Sequence, residues 1–316
     1  SKEMVMKQVW GILERHGIPG RDLHDLPSSS ARFPDGAHYR IEIAGIERAS
    51  ALEAMLDESE RRSVPVHRVI ATVGGATLIS FDELREYARI AHDAGIEVIA
   101  TLGASRGWDT GRQIATREGV VSGMRVRGSD NLSYVVADVM RCAEAGFRGF
   151  LVVDEGLLWL LAQMREKGDL PKDCIFKVSV FAGHANAAGA RLLESLGADT
   201  FNPLADLTLP MLAGIRRSVR IPMDVYLTIV DAMGGFNRFW EAAEIARVCA
   251  PCYFKFEPGA SEDSVYKPWV SPEFHGFFSR EKVRLASIAR ELIERCNPEI
   301  KISGQAPEDL AIPVRP

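Results

Sequence analysis

Residues 175–229 read IFKVSVFAGHANAAGARLLESLGADTFNPLADLTLPMLAGIRRSVRIPMDVYLTI. The stretch divides into strand, helix, strand, helix, strand. Links this short force parallel pairing, because each helix must carry the chain back before the next strand begins. In IFKVSVFAG, Phe176, Val178 and Val180 share one side of the strand, and Lys177, Ser179 and Phe181 share the other. A covering helix takes the apolar set. Lys177 and Ser179 are therefore expected to point away from the helices, into whatever the sheet encloses.

The same alternation extends in both directions. Strands are expected at 39–44, 67–73, 97–103, 149–154, 175–182, 200–204, 223–229 and 252–257. Helices are expected at 47–63, 80–94, 129–145, 155–167, 186–197, 208–218, 236–249 and 279–296. Gly95, Gly146 and Gly197 each close a helix just before a strand, the usual left-handed cap. Eight strands, each followed by a helix, predict an α/β fold of the (β/α)8 TIM barrel class. An open doubly wound sheet is the runner-up, but IAGIERAS after the first strand lacks the GxGxxG turn. The organisation expected is an N-terminal helical extension at 1–37, a barrel at 38–300 and a polar tail at 301–316. Trp10, Leu13 and Ile18 of the extension belong to no barrel helix. The extension should close a barrel end or meet another subunit, which leaves a homo-oligomer open.

Composition excludes several classes. The 316 residues carry a net charge of −5, so no excess of positive charge points to nucleic acid or an anionic membrane. No apolar run reaches spanning length and no signal peptide is visible. Five cysteines do not form a disulfide framework, so the cytoplasm is the expected compartment. Cys249 and Cys252 have redox-motif spacing, but they end a helix and open a strand, which favours a structural role.

Alternation assigns the inward residues. The first strand turns Arg40, Glu42 and Ala44 inward, and the second Arg68, Ile70 and Thr72. Ile99 and Thr101 follow on the third, Lys177 and Ser179 on the fifth, and Asn202 on the sixth. Asp224, Tyr226 and Thr228 come from the seventh, and Tyr253, Lys255 and Glu257 from the eighth. The fourth is ambiguous. Isolated buried charges cost several kcal/mol each, roughly, so these must pair. One reading is an ion-pair network filling the lower barrel. The other makes Lys177 or Lys255 a Schiff-base nucleophile, as a desolvated amine can be. The neighbouring carboxylates favour ion pairs for both lysines.

Barrel enzymes keep their sites on the face built by the βα loops. The two long βα connections, about 105–128 and 259–278, fall there. Catalytic candidates are Glu42, Glu155, Lys177, His184, Tyr226, Lys255 and Glu257. His184 in FAGHAN suits acid–base work. Together with Asp154, Glu155, Asp206, Asp231 and Glu257 it leaves a divalent metal open, without HxH or HExxH spacing. Binding candidates are Arg106, Arg112 and Arg127 of the arginine-rich third loop, with Ser179, Asn202, Gly234 and Gly235. The arginines would form a lid that clamps a carboxylate or phosphate. Amides at the helix starts after Gly75 and Gly235 would add to the same positive field. These point to a small anionic substrate.

Residues 80–230, in SFDELREYARIAHDAGIEVIATLG, GFRGFLVVDEGLLWLL and HANAAGARLLESLGADTFNPLADLTLPMLAGIR, resemble the barrel of the peptidase U32 family. The resemblance implies a hydrolase. The family's ExFxHGA signature, followed by cysteines, would fall on MDVYLTIVDAMGG. There Asp224 and Tyr226 match and the His, Gly and Cys positions are missing, so no iron–sulfur cluster is expected. The same patterns occur in barrel lyases and aldolases, which makes a lyase using Lys177, Lys255 or a metal the alternative. A catalytically silent binding or assembly barrel is the third reading.

Overall fold

The computed structural model describes residues 1–103, 116–122 and 124–316. Eight strands form one closed parallel barrel in sequential order. They are β1 Tyr39–Ile46, β2 Arg68–Ala71, β3 Glu97–Thr101, β4 Gly149–Val152, β5 Ile175–Val178, β6 Thr200–Phe201, β7 Met223–Thr228 and β8 Cys252–Phe256. The helices are α1 Lys2–Arg15, α2 Ala49–Arg62, α3 Phe81–Ala94, α4 Gly128–Ala145, α5 Glu155–Lys167, α6 Ala187–Leu196, α7 Leu209–Ser218, α8 Ala242–Cys249, the short α9 Glu262–Val265 and α10 Pro272–Cys296. No described helix is long and apolar enough to cross a membrane.

The expected alternation sets the barrel wall. Tyr39, Ile41 and Ile43 join the apolar layer between strands and helices, as do Phe176 and Val178. The ambiguous fourth strand turns Phe150 to the helices, where its ring lies 6.5 Å from that of Phe176. Leu151 therefore faces inward, and it packs with Ala44, Ile70 and Ile99 as an apolar collar inside the barrel.

One helix starts later than the sequence reading has it. The helix expected at 236–249 begins only at Ala242, after a 3-10 turn over Phe239–Glu241. Gly75 opens a 3-10 turn of three residues, and the helix proper starts at Phe81, capped by the Ser80 hydroxyl. Neither glycine stands at the N-terminus of a long helix, so the expected dipole contribution there is absent. In the other direction, α10 begins earlier than expected, because Pro272 at its start and the Ser271 cap suit a helix entry.

The lower end of the barrel is stoppered from both chain termini. Phe33 inserts beneath it, its ring 5.3 Å from that of Tyr253 and 3.9 Å from the Arg40 guanidinium carbon. The tail returns below β1, where Ile302 bridges to Tyr39. Arg40 donates to Asp309 at 2.7 and 2.8 Å and to the Ser303 hydroxyl at 2.9 Å. His67, fully buried, accepts the Ile41 amide at Nδ1, while Nε2 lies 3.0 Å from the Ser303 and Gly304 carbonyls. Burial lowers the His67 imidazole to about 4, and the nearby Arg40 charge also disfavours protonation. The tail thus belongs to the packed structure. Helix α1 buries no residue of its own and touches the barrel helices through Glu14–Arg217 at 2.7 Å.

Candidate active site

Inside the barrel the charges separate into two levels. In the lower one, Lys177 lies between Glu42 and Asp224, with Nζ 3.0 Å from Glu42 Oε1 and 2.6 Å from Asp224 Oδ2. Arg68 reaches the same two carboxylates at 3.0 Å each, pairs with Glu97, and stacks 3.6 Å from the Tyr253 ring. Thr200 donates to Asp224 Oδ1 at 2.8 Å. Strand register explains the meeting: Glu42 stands opposite Arg68 on one side and Lys255 on the other, and Lys177 opposite Thr200.

Burial alone would raise the Glu42 carboxyl, but Lys177, Arg68 and Lys255 outweigh it and hold it down at about 2. Burial draws the Lys177 ammonium below its ordinary value against the pull of Asp224 and Glu42. With carboxylate oxygens at 2.6 and 3.0 Å, the ionised pair is the arrangement the geometry supports. Glu42 and Lys177 are thus brought together as partners, with no exposed surface and away from the mouth.

The upper level is different. A cavity open to solvent lies at the C-terminal ends of the strands. Ser179, Tyr226, Lys255 and Glu257 line it, beneath walls of Ile70, Val73, Leu151, Val153, Val180 and Phe181. Lys255 has no tight ion pair. Its Nζ lies 3.4 Å from Asn202 Oδ1, 3.9 Å from Glu257 Oε2 and 4.4 Å from the centre of the Tyr226 ring. Asn202 is held for this by donating to the Pro203 and Asp224 carbonyls.

Glu257 Oε2 and Thr101 Oγ1 are buried without a hydrogen-bond partner. The Tyr266 hydroxyl stands near Glu257 but makes no well-formed bond to it. Burial, reinforced by the Glu257 carboxylate, raises the Tyr226 and Tyr266 phenols well above their ordinary values, so both stay protonated. The Tyr266 ring occupies the space beside Gly45, where a Cβ would fall 1.9 Å from the ring at a φ of +72°. Lys282 of α10 fixes this corner, donating to the Ala44 and Gly45 carbonyls at 2.7 and 3.3 Å. Burial lowers the Lys282 ammonium to about 8.

Glu155, His184, Arg127, Gly234 and Gly235 lie outside the described cavity lining. His184 Nε2 meets Glu155 Oε1 at 2.9 Å, and Arg125 closes on the other Glu155 oxygen. Burial would raise the Glu155 carboxyl, but its own backbone amide, His184 and Arg125 hold it below its ordinary value. The Gly234 and Gly235 amides donate to the Asp231 and Val230 carbonyls, which spends them within the turn. Arg127 precedes α4, and Arg106 and Arg112 lie outside the described residues. Ser179 Oγ accepts the Phe181 amide at 3.1 Å. Among the described residues, no three His, Cys, Asp or Glu side chains gather as a metal site. Cys249 and Cys252 are free and buried, and burial pushes the Cys249 thiol up to about 12.

Sequence reasoning turned Thr101 inward without naming it for the site, and missed Glu97, Tyr266 and Lys282. Glu97 shares the parity of Ile99 and Thr101, which was signal enough. Tyr266 sits in a loop without periodicity, and Lys282 on a helix face that nothing marks as buried.

No family model matches the chain, and no curated protein matches it. Among solved structures it is similar to the YdjI aldolase from Escherichia coli K12, with 13% identity, a TM-score of 0.47, and 82% of this chain and 90% of that one covered. It is similar to the U32 peptidase Mk0906, with 16% identity, a TM-score of 0.41, and coverage of 74% and 95%. D-psicose 3-epimerase from Clostridium cellulolyticum H10 gives 10%, 0.45, and coverage of 80% and 99%. The relation is one of barrel fold at low identity, and the peptidase U32 resemblance goes no further than that.

Proposed function

We propose that the chain is a barrel lyase of the aldolase kind, making or breaking a carbon–carbon bond through a Schiff base on Lys255. One observation carries this reading. Of the two barrel lysines, Lys177 is clamped by two carboxylates, whereas Lys255 lines the cavity with its nearest carboxylate oxygen at 3.9 Å. A lysine amine attacks a carbonyl carbon only after losing its proton, and Glu257 is the carboxylate placed to take it. In the resulting carbinolamine the carbonyl oxygen takes one proton from the nitrogen and a second back from Glu257, and leaves as water, giving an iminium and the Glu257 carboxylate again. The bond one carbon further out breaks, and its electron pair flows into the iminium to form an enamine. The departing fragment's hydroxyl gives its proton to Glu257 and leaves as a carbonyl. Reprotonation of the enamine and hydrolysis restore Lys255.

The hydrolase reading lacks comparable support. Ser179 is the hydroxyl of the fifth strand on the cavity, and it is engaged with Phe181, while His184 is turned to Glu155. Borohydride reduction in the presence of small aldehydes, ketones and 2-oxo acids, followed by peptide mass mapping, tests the proposal. The expected result is one adduct on Lys255, lost in Lys255→Met. An adduct mapping to Lys177, or none with any carbonyl, would overturn it.

A further inference from the structure

The described lining of the mouth carries an unusual balance of charge. Lys255 is its one cation, against Asp154, Glu257 and Glu262. No arginine or histidine of the described residues lines it. Asp154 is spent on backbone, accepting the Leu157 amide at 3.0 Å and the Val126 amide at 3.2 Å. The walls are aliphatic and aromatic. Among the described lining residues, a phosphate or carboxylate would meet more carboxylates than cations and no guanidinium.

Two polar atoms nevertheless lack partners there. Glu257 Oε2 sits on a residue 2% exposed, and Thr101 Oγ1 on one 3% exposed. Both residues line the cavity, Glu257 beside Lys255 and Thr101 at the end of β3. Tyr226, Tyr266 and Lys255 stand around Glu257, yet none makes a well-formed hydrogen bond to Oε2, so a ligand that supplies one there is favoured. A hydroxyl is an uncharged group that donates to a carboxylate and both donates to and accepts from a threonine.

We infer that the cavity takes an uncharged hydroxy-carbonyl compound with an apolar body. Its carbonyl carbon lies at Lys255, one hydroxyl at Glu257, and its apolar arm along Ile70, Val73, Leu151 and Val153, with Thr101 receiving a second polar group. Placing the carbonyl rests on the Schiff-base reading. The preference for uncharged, hydroxylated, apolar ligands rests on the lining alone. This departs from the anionic substrate that the loop arginines suggested.

The test separates the two. Phenylethanediol carries the hydroxyls and the apolar body but no carbonyl, so its binding does not need Lys255 as a nucleophile. Calorimetric titration of the whole chain should show phenylethanediol binding, with affinity unmoved by salt. Inorganic phosphate and glycerol phosphate should bind at least tenfold more weakly, roughly the worth of one good polar contact. Thr101→Val keeps shape and removes the hydroxyl, and Glu257→Gln removes the charge. Each should weaken phenylethanediol by about fivefold to tenfold. In borohydride trapping, phenacyl alcohol should label Lys255 faster than acetophenone, and faster than pyruvate. Tighter binding of the anions, a steep fall with salt, or unchanged affinity in both variants would overturn the inference. Diol binding with no trapping of any carbonyl would sustain it and remove the lysine chemistry instead.

Discussion

Replacing Lys177 by Met tests the division between a structural and a reactive lysine. In the native barrel, Glu42, Glu97 and Asp224 face the cations Lys177 and Arg68 at the lower level. Removing the ammonium leaves three carboxylates to one guanidinium, in a place with no exposed surface at Glu42 or Asp224. Breaking a buried pair by deleting one partner costs ~3–5 kcal/mol. A second route gives the same size. The variant's easiest relief is to protonate a carboxyl whose ordinary value is 4.5. At pH 7 that costs ~3–4 kcal/mol, at about 1.4 kcal/mol for each pH unit.

Chemical unfolding followed by circular dichroism should therefore show Lys177→Met destabilised by ~3–5 kcal/mol at neutral pH. The gap should narrow to about 1 kcal/mol near pH 5, where protonation is nearly free. Adding Glu42→Gln to Lys177→Met returns the excess to a single carboxylate and should recover most of the loss. If Lys177→Met cost under about 1 kcal/mol at neutral pH, far below the usual toll of a broken buried pair, and the borohydride adduct vanished with it, the assignment of the two lysines would be reversed.

Lys255→Met should change unfolding free energy by no more than about 1 kcal/mol, since its polar contacts are long, while the borohydride adduct disappears. A pH titration of stability should lose ~3 kcal/mol as pH falls from 6.5 to 4, because the unfolded His67 binds a proton there and the folded one does not. His67→Gln should flatten that limb, and an unchanged limb would disprove the assignment. Gly45→Ala forces a Cβ against the Tyr266 ring, so phenylethanediol binding should fall at least tenfold, or the chain should lose ~2 kcal/mol or more of stability. Wild-type values for both would show that the corner yields freely.

The barrel was legible because parallel strands and amphipathic helices leave periodic marks, and the turn glycines mark their joints. The inward set was legible for the same reason, since parity decides facing within a strand. The roles of the two lysines were not. Lys177 in IFKVS and Lys255 in YFKFE have the same local pattern. What separates them is which carboxylates arrive from other strands, a matter of barrel register. The corner of Tyr266, Gly45 and Lys282 and the stopper of Ser303 and Asp309 are assembled from loop and tail residues, where no period exists to read. The positive face expected at the mouth drew on the loop arginines and on helix starts after Gly75 and Gly235; a 3-10 turn follows Gly75, the helix after Gly235 begins only at Ala242, and Arg106 and Arg112 lie outside the described residues.

The freedom of Lys255 follows from the crowding of its neighbours. Register places it beside Glu42 and Tyr226, and Glu42 would be its natural partner. Arg68 and Lys177 have already claimed that carboxylate. Lys255 therefore contributes to holding Glu42 ionised, without a close carboxylate oxygen of its own. In the proposed reaction, this field acts on the step that creates charge. An iminium at Lys255 keeps a positive charge after the amine has lost its proton, and Glu257 and Glu42 are fixed beside it before the reaction begins. Preorganised opposite charge in a dry site is the strongest lever a protein has on such a step. The same carboxylates oppose an anionic substrate. A site built to stabilise the cationic intermediate therefore selects a neutral carbonyl compound, and the aliphatic walls supply binding that a phosphate handle would provide elsewhere.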